Sequence, residues 1–141
     1  MKRIPLIFAL AALAFALGCR NVKYAAQWEQ ERNDLKEIAL TYNNFTNKEG
    51  RPPADADQFI KWVSAKQPEA MKAVSKIQSG RLYVRWGVNP SKAPAGTANT
   101  ILGWQARTPT NGGFAVMADG STRDMTSNEF NDLLRSNTLG K

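Results

Sequence analysis

The lone cysteine, Cys19, is the residue whose surroundings point most directly to a chemistry. It follows a short basic head (Met1-Lys2-Arg3), an unbroken apolar run from Ile4 to Leu17, and the small residue Gly18. A basic head, an apolar stretch and a small residue before cysteine are the order of a bacterial secretory signal that ends at a lipid-attachment site. The sequence therefore predicts a signal peptide over residues 1–18 and acylation of the Cys19 thiol.

Two other fates of this segment stay open. Ordinary signal cleavage after Gly18 would leave a free thiol on the new N-terminus, because small residues flank that bond too. An uncleaved anchor helix is the other alternative, but the apolar run is shorter than the roughly 20 residues that a spanning helix needs, and it contains Pro5. Lipidation accounts for a cysteine at this place, although Ala16 stands where such signals usually carry leucine.

Acylation would hold the product at a membrane surface without spanning it. Two or more acyl chains anchor a protein firmly, whereas one chain binds only marginally. The sequence thus predicts a signal peptide over 1–18 and a single lipid-anchored globular domain over 19–141. We expect it in the bacterial cell envelope, facing the periplasm or the cell surface.

The residue types that the sequence lacks exclude several kinds of catalysis and of metal or cofactor site. The sequence has no histidine, which excludes His-dependent catalysis and His-ligated metal sites. With Cys19 assigned to the anchor, no thiol nucleophile, disulfide or Cys-rich zinc site is left. No glycine-rich phosphate loop is present. We therefore predict no catalytic residues, no metal and no cofactor, and a protein that is not an enzyme.

The enzymatic alternative is that Asp119 and Asp124 act as a pair of catalytic carboxylates. The preference of aspartate for turns is a simpler explanation of these two residues.

The net charge favours anionic partners. The chain has 19 Lys and Arg residues against 12 acidic ones, a formal charge of +7. Loss of Lys2 and Arg3 with the signal leaves 17 basic residues and a charge of +5. In an envelope protein this excess suits lipid headgroups or cell-wall polymers rather than nucleic acid. An ordinary solvated surface explains it equally well. The predicted partners are the membrane, through the anchor, and an envelope protein or cell-wall polymer.

One strand offers a candidate anion-binding row. Arg81, Tyr83 and Arg85 alternate with three apolar residues, which is typical of a half-buried strand, so they would share its polar face. Trp86 or Trp104 could add a stacking surface for a glycan. The alternative is that both tryptophans belong to the core and both arginines are merely solvated.

The pattern of apolar residues predicts the elements that would carry these side chains. A long helix is expected over Asn21–Asn47 before a break at Gly50-Arg51-Pro52-Pro53. Its buried stripe is Trp28, Leu35, Ile38, Tyr42 and Phe45. Two short helices should follow, one from Asp55 or Asp57 and one with Pro68 in its first turn and Gly80 at its end.

Period-two patterns then predict a sheet. The expected strands are 81–86, 100–107, 114–118 and 121–125, with a loop over 88–99, a turn over 108–113 and a hairpin at Asp119-Gly120. On the second strand, Leu102, Trp104 and Ala106 should share one side. Thr126 and Glu129 form a capping box for a last helix, and Ser136 to Lys141 should fray. The predicted fold class is α+β, with a long N-terminal helix, two short helices, a three- to four-stranded antiparallel sheet and a C-terminal helix.

Two short motifs stand out in the chain. The first is Leu40-Thr41-Tyr42-Asn43-Asn44-Phe45 with the following Gly50-Arg51-Pro52-Pro53, and the second is Met117-Ala118-Asp119-Gly120-Ser121. Both resemble motifs of a family of exported, pilin-like proteins of unknown function in planctomycete-type bacteria. The resemblance covers roughly residues 33 to 125. It implies a long helix that ends at the Gly-x-Pro-Pro-like break, and an antiparallel sheet that closes on the Ala-Asp-Gly-Ser turn.

The chain also departs from pilins at its N-terminus. Pilins carry a glutamate five residues into the mature chain and assemble through an apolar N-terminal helix. Here the fifth residue counted from Cys19 is Lys23, and the helix that follows begins polar. The resemblance therefore implies a pilin-type head on a lipid anchor, without the usual means of joining a filament.

Overall fold

The structure is a computed structural model that describes the backbone of residues 6–139 and the side chains of residues 22–139. It contains two compact units, Met1–Gln30 and Glu31–Lys141. The first helix, α1 (Leu6–Glu49), includes residues of both. The predicted signal peptide and the Cys19 thiol lie largely outside the described residues. Within the described part of the chain, no helix is both long and apolar enough to cross a bilayer.

In the second unit, α1 buries the stripe that its sequence predicts. Leu35, Ile38, Tyr42 and Phe45 have at most 1% of their surface exposed. The prediction was wrong for Trp28, which belongs to the first unit and is 37% exposed. Helical spacing identifies a shared face of a helix, but it does not determine how much of each side chain on that face is buried.

Two short helices follow the break, as predicted. α2 (Ala56–Lys66) begins at Asp55, whose carboxylate accepts a hydrogen bond from the Gln58 amide at 2.8 Å. α3 (Met71–Gln78) follows a single 3₁₀ turn at Pro68–Ala70. Gly80 ends it in the left-handed conformation, with φ +70°. Their apolar sides complete the core around α1.

The remaining chain forms one antiparallel sheet with the strands in chain order. Its strands are β1 (Leu82–Val84), β2 (Ile101–Gln105), β3 (Gly113–Met117) and β4 (Thr122–Met125). The α+β class is therefore confirmed, including the hairpin at Asp119-Gly120 between β3 and β4. The segment over 108–113 is a one-turn helix, α4 (Thr108–Asn111), rather than only a turn, because Pro109 suits a first helical turn and Gly112 ends it at φ +75°.

Helices cover both faces of the sheet. Leu82, Leu102 and Val116 pack with α1, α2 and α3 in one core cluster. Ile101, Ala115 and Met117 pack with Phe130 of the last helix, α5 (Ser127–Leu139), in a second cluster. The prediction that Leu102 and Trp104 share one side of the second strand was wrong. Leu102 packs in the first cluster and Trp104 against the second, and the register of β2 shifts between Ile101 and Gly103.

The two ends of α5 are held by side-chain hydrogen bonds. At its start, the predicted capping box is confirmed, since the Thr126 amide donates to Glu129 Oε2 at 2.8 Å and the Glu129 amide donates to Thr126 Oγ1 at 3.3 Å. Near its end, Asn137 Oδ1 accepts from the Ile101 amide at 2.8 Å, and Asn137 Nδ2 donates to the Asn99 carbonyl at 3.0 Å. The predicted fraying was wrong for residues 136–139, because these bonds hold the last turn of α5 against β2 and Asn99. Residues 140 and 141 lie outside the described residues.

Candidate functional site: a basic cleft beside β1

The three residues of the predicted anion-binding row do not form one array. β1 ends at Val84, so Arg85 lies beyond it and Trp86 lies in the following turn. Tyr83 is 48% exposed on the strand. Arg81 precedes the strand and makes an ion pair with Glu31 at 2.9 Å. The structure thus separates the two arginines into different surroundings.

Arg81 belongs to a polar cluster that joins α1 to the sheet. Glu31 is 7% exposed, and it accepts from Gln105 Nε2 at 2.7 Å as well as from Arg81. Gln105 Oε1 accepts from the Phe114 amide at 2.8 Å. Because a carboxylate already balances its charge, Arg81 is less suited to bind a second anion than Arg85.

The two tryptophans proposed as stacking surfaces lie at opposite faces of the sheet. Trp104 is partly buried between Tyr83, whose ring is 6.1 Å away and nearly parallel at 14°, and Phe130, whose ring is 5.3 Å away. Trp86 is also partly buried, and it packs against Phe59 at 5.6 Å and Tyr42 at 6.4 Å. Each ring therefore contributes to the core while part of its surface remains accessible.

Arg85 and Trp86 line a cleft of about 480 Å³ between the end of β1, the loop that follows it and the last turns of α5. The lining residues are Arg85, Trp86, Gly87, Val88, Asn89, Lys92, Ala93, Pro94, Ala95, Thr100, Ser136 and Asn137. Two of them, Arg85 and Lys92, are cations, and none is an acid. This volume falls within the range of ordinary small-ligand sites.

The loop that forms one wall of this cleft is fixed by several hydrogen bonds. The Tyr42 hydroxyl donates to the Val88 carbonyl at 2.9 Å, and the Gly87 amide donates to the Pro53 carbonyl at 3.0 Å. Burial raises the pKa of Tyr42 well above its usual range, and the nearby positive charge of Arg85 offsets this only in part, so the phenol keeps its proton. The Asn89 carboxamide accepts from the Ser91 amide at 3.1 Å. The wall is thus built in advance of any ligand.

Arg85 is held in position at the opposite wall. Its side chain is partly buried, and Nη2 donates to the Asn137 carbonyl at 2.9 Å. A guanidinium has five N–H groups, so this bond leaves others to face the cleft. Lys92 is exposed at the end of the 3₁₀ turn Pro90–Lys92.

Lys92 is a residue of this cleft that the alternation along the first strand does not indicate, although the sequence carries another signal for it. Residues 70–118 contain six Lys or Arg residues and no Asp or Glu. Arg85 and Lys92 both come from this stretch, so the part of the cleft lining that it supplies carries positive charge and no carboxylate. The lack of acids over this stretch therefore indicates Lys92, together with Arg85, as a candidate anion-binding residue.

The carboxylates of the enzymatic alternative have separate surroundings. Asp119 is exposed in the hairpin turn, and Asp124 is exposed on β4 opposite Phe114. A shallow depression of about 400 Å³ is lined by Asp124 and Glu129, among others, but not by Asp119. Glu129 there is engaged with Thr126 at the start of α5, and these hydrogen bonds lower the pKa of its carboxyl. Among the residues that the structure describes, no three His, Cys, Asp or Glu side chains form a group that could hold a metal ion.

Asp119 gives a pH-dependent prediction. The Ser121 hydroxyl and then the Ser121 amide, at 2.6 and 2.9 Å, lower the pKa of its carboxyl. We expect Ser121→Ala to raise that pKa towards its ordinary value, as followed by carboxyl NMR titration. Because the folded-state pKa lies below the unfolded one, the stabilisation is present above about pH 4 and is lost as the pH falls through the folded-state value. Ser127→Ala is the control and should leave Asp119 unchanged; an equal shift in both variants would contradict the assignment.

No known protein family, curated protein or solved structure matches this chain.

Proposed function

We propose that this protein is a lipid-anchored lipoprotein of the bacterial cell envelope, with a pilin-like head that acts by display or protein contact rather than by catalysis. The observation that carries the proposal is the order of residues in the first segment: the basic head, the apolar run from Ile4 to Leu17, then Gly18 and Cys19. Lipidation gives the only cysteine of the chain a role. The head would face the periplasm or the cell surface.

Residues after the proposed anchor support a contact role at a membrane surface. Val22 is 69% exposed and Tyr24 is 52% exposed, next to the cations Arg20 and Lys23. Apolar and aromatic side chains interleaved with cations suit the boundary between headgroups and water. They equally suit contact with an envelope protein held at the same surface.

Support for a pilin-like head comes from the two motifs that carry the resemblance. α1 ends at Glu49, just before Gly50 (φ +71°) and the Pro52-Pro53 pair. Asp119-Gly120 closes the β3–β4 hairpin, with the Met117 amide bonded to the Ser121 carbonyl at 2.8 Å. A long helix followed by a hairpin-closed antiparallel sheet is what the resemblance implies.

The test is intact-mass analysis of the mature N-terminus from membranes of an expressing bacterium. We expect the chain to begin at Cys19 and to carry several acyl chains. Cys19→Ser should carry no lipid and should keep its signal, because the lipid-transfer step needs the thiol. Ala16→Leu, which restores the usual residue of the motif, is the matched control and should be processed and acylated like the parent chain.

Two results would contradict the proposal. A mature chain that begins at an unmodified Cys19 would indicate ordinary signal cleavage. An intact residue 1 with no lipid would indicate an uncleaved anchor.

The second candidate function is binding of an anionic cell-wall polymer or glycan. The observation that favours it is the cleft, where Arg85 and Lys92 face a cavity with no acidic lining residue. Co-sedimentation of the full chain with cell-wall fractions tests it directly. Sedimentation that is unchanged by salt would argue against an electrostatic polymer site, since exposed charges are screened within about 8 Å at physiological ionic strength.

A further inference from the structure

The acid-free lining of the cleft beside β1 suggests a ligand with one negative charge centre. Arg85 is oriented by the Asn137 carbonyl, so its planar guanidinium is held ready to meet a carboxylate or phosphate without losing much side-chain freedom on binding. Lys92 adds a second positive charge to the lining. An acidic ligand therefore meets two cations there and no lining carboxylate that would repel it.

The rest of the lining suggests the body of that ligand. Trp86 contributes an indole surface, and Val88, Ala93 and Pro94 contribute small apolar groups. The C–H faces of a sugar ring are apolar and lose water when they pack on such surfaces, while the ring hydroxyls can bond to amides such as that of Asn89. A cavity of about 480 Å³ has room for a ligand of this size.

We infer that this cleft binds an acidic saccharide unit, a hexose ring with one carboxylate or phosphate group. The anionic group lies between Arg85 and Lys92, and the ring packs on the side of Trp86 that faces the cleft. The inference rests on the second candidate function and narrows it to one site and one class of ligand. It does not depend on whether Cys19 is acylated.

Calorimetric titration of the full chain in non-ionic detergent tests the ligand class. The probes are glucose 6-phosphate, glucuronate, neutral glucose and inorganic phosphate. We expect both acidic sugars to bind, with glucose and inorganic phosphate each weaker by about tenfold, because glucose lacks the charge and phosphate lacks the ring. Glucose 6-phosphate against glucuronate distinguishes a phosphate ligand from a carboxylate ligand.

Charge-matched variants test the site. Arg85→Gln should weaken binding of the preferred acidic sugar by about tenfold or more, because hydrogen bonds from a charged donor are lost. Lys92→Gln, at an exposed position where folding is not at risk, should weaken it by about threefold. The matched controls are Arg81→Gln, whose guanidinium pairs with Glu31, and Lys72→Gln, which is exposed on α3. Neither control should change the affinity by more than a small factor.

Several outcomes would overturn the inference. Equal losses in Arg85→Gln and Arg81→Gln would mean that general surface charge, not the cleft, attracts the ligand. If inorganic phosphate binds as tightly as glucose 6-phosphate, the sugar ring adds nothing to the affinity, and the ligand is not a saccharide. If no acidic sugar binds while the full chain still sediments with cell walls, the cleft is excluded and the second candidate function survives at another surface. If neither sugar binding nor co-sedimentation with cell walls is found, the cleft inference and the second candidate function are both wrong. The mass of the mature N-terminus then still tests whether Cys19 is acylated.

Discussion

Gln105→Leu is expected to lower the free energy of unfolding by about 3–5 kcal/mol. The Gln105 side chain is 1% exposed, and it connects the Glu31 carboxylate to the Phe114 amide with hydrogen bonds of 2.7 and 2.8 Å. Leucine fills a similar volume but removes a donor from a buried carboxylate and an acceptor from a buried N–H. Urea unfolding of the full chain, followed by tryptophan fluorescence, measures the change.

Arg81→Gln is the control for this prediction. It removes a different partner of Glu31, but the Arg81 side chain is 42% exposed, so water can replace much of the lost interaction. We expect a loss of about 1 kcal/mol or less. Equal losses in the two variants would contradict the prediction, because they would show that the exposed ion pair stabilises this junction between α1 and the sheet as much as the buried amide does.

Gly113→Ala is expected to destabilise the fold by about 2–4 kcal/mol. Gly113 has φ +150°, and a Cβ there would lie 2.6 Å from Gln105 Oε1 and 3.0 Å from Thr108 Oγ1. A methyl group would therefore push on the same carboxamide that joins β2 to Glu31. The substitution should lower the midpoint of urea unfolding and increase hydrogen exchange at the Phe114 amide.

Gly120→Ala separates strain of the backbone from crowding. Gly120 also has a positive φ, +85°, but a Cβ there would meet nothing within 4 Å. Its cost should be about 1 kcal/mol, the ordinary penalty for a left-handed residue with a side chain. If Gly120→Ala costs as much as Gly113→Ala, the close approach to Gln105 is not the cause of the larger effect.

Much of the fold could be predicted from local patterns, because each signal depends on a few neighbouring residues. Spacing of three and four residues located the buried stripe of α1, and Thr126 with Glu129 located the start of α5. The errors share a different origin. The separation of Leu102 from Trp104 across β2 and the ordered turn over residues 136–139 depend on contacts with distant parts of the chain. The exposed fraction of Trp28 is likewise not set by its spacing along the helix.

In the candidate site, too, the features set by neighbouring residues could be predicted and those set by distant residues could not. Alternation along the first strand correctly placed Leu82 and Val84 in the core and Tyr83 on the surface. The same alternation placed Arg81 and Arg85 on one face of the strand, because they lie an even number of positions apart. The structure separates them, since Glu31 lies 50 residues before Arg81 in the chain and Asn137 lies 52 residues after Arg85. No local pattern reports such partners, whereas the absence of acids over residues 70–118 is a longer-range property that the sequence does display.

The hydrogen bonds of Asn137 affect when the cleft can form during synthesis or export of the chain. Its side chain and carbonyl bond to Asn99, Ile101 and Arg85, which precede it by 38, 36 and 52 residues. A chain that emerges from its N-terminus, in synthesis or in export, therefore has β1 and the cleft loop outside long before the residue that fastens them. The cleft is therefore complete only after α5, which carries Asn137, has followed Arg85 by 52 residues.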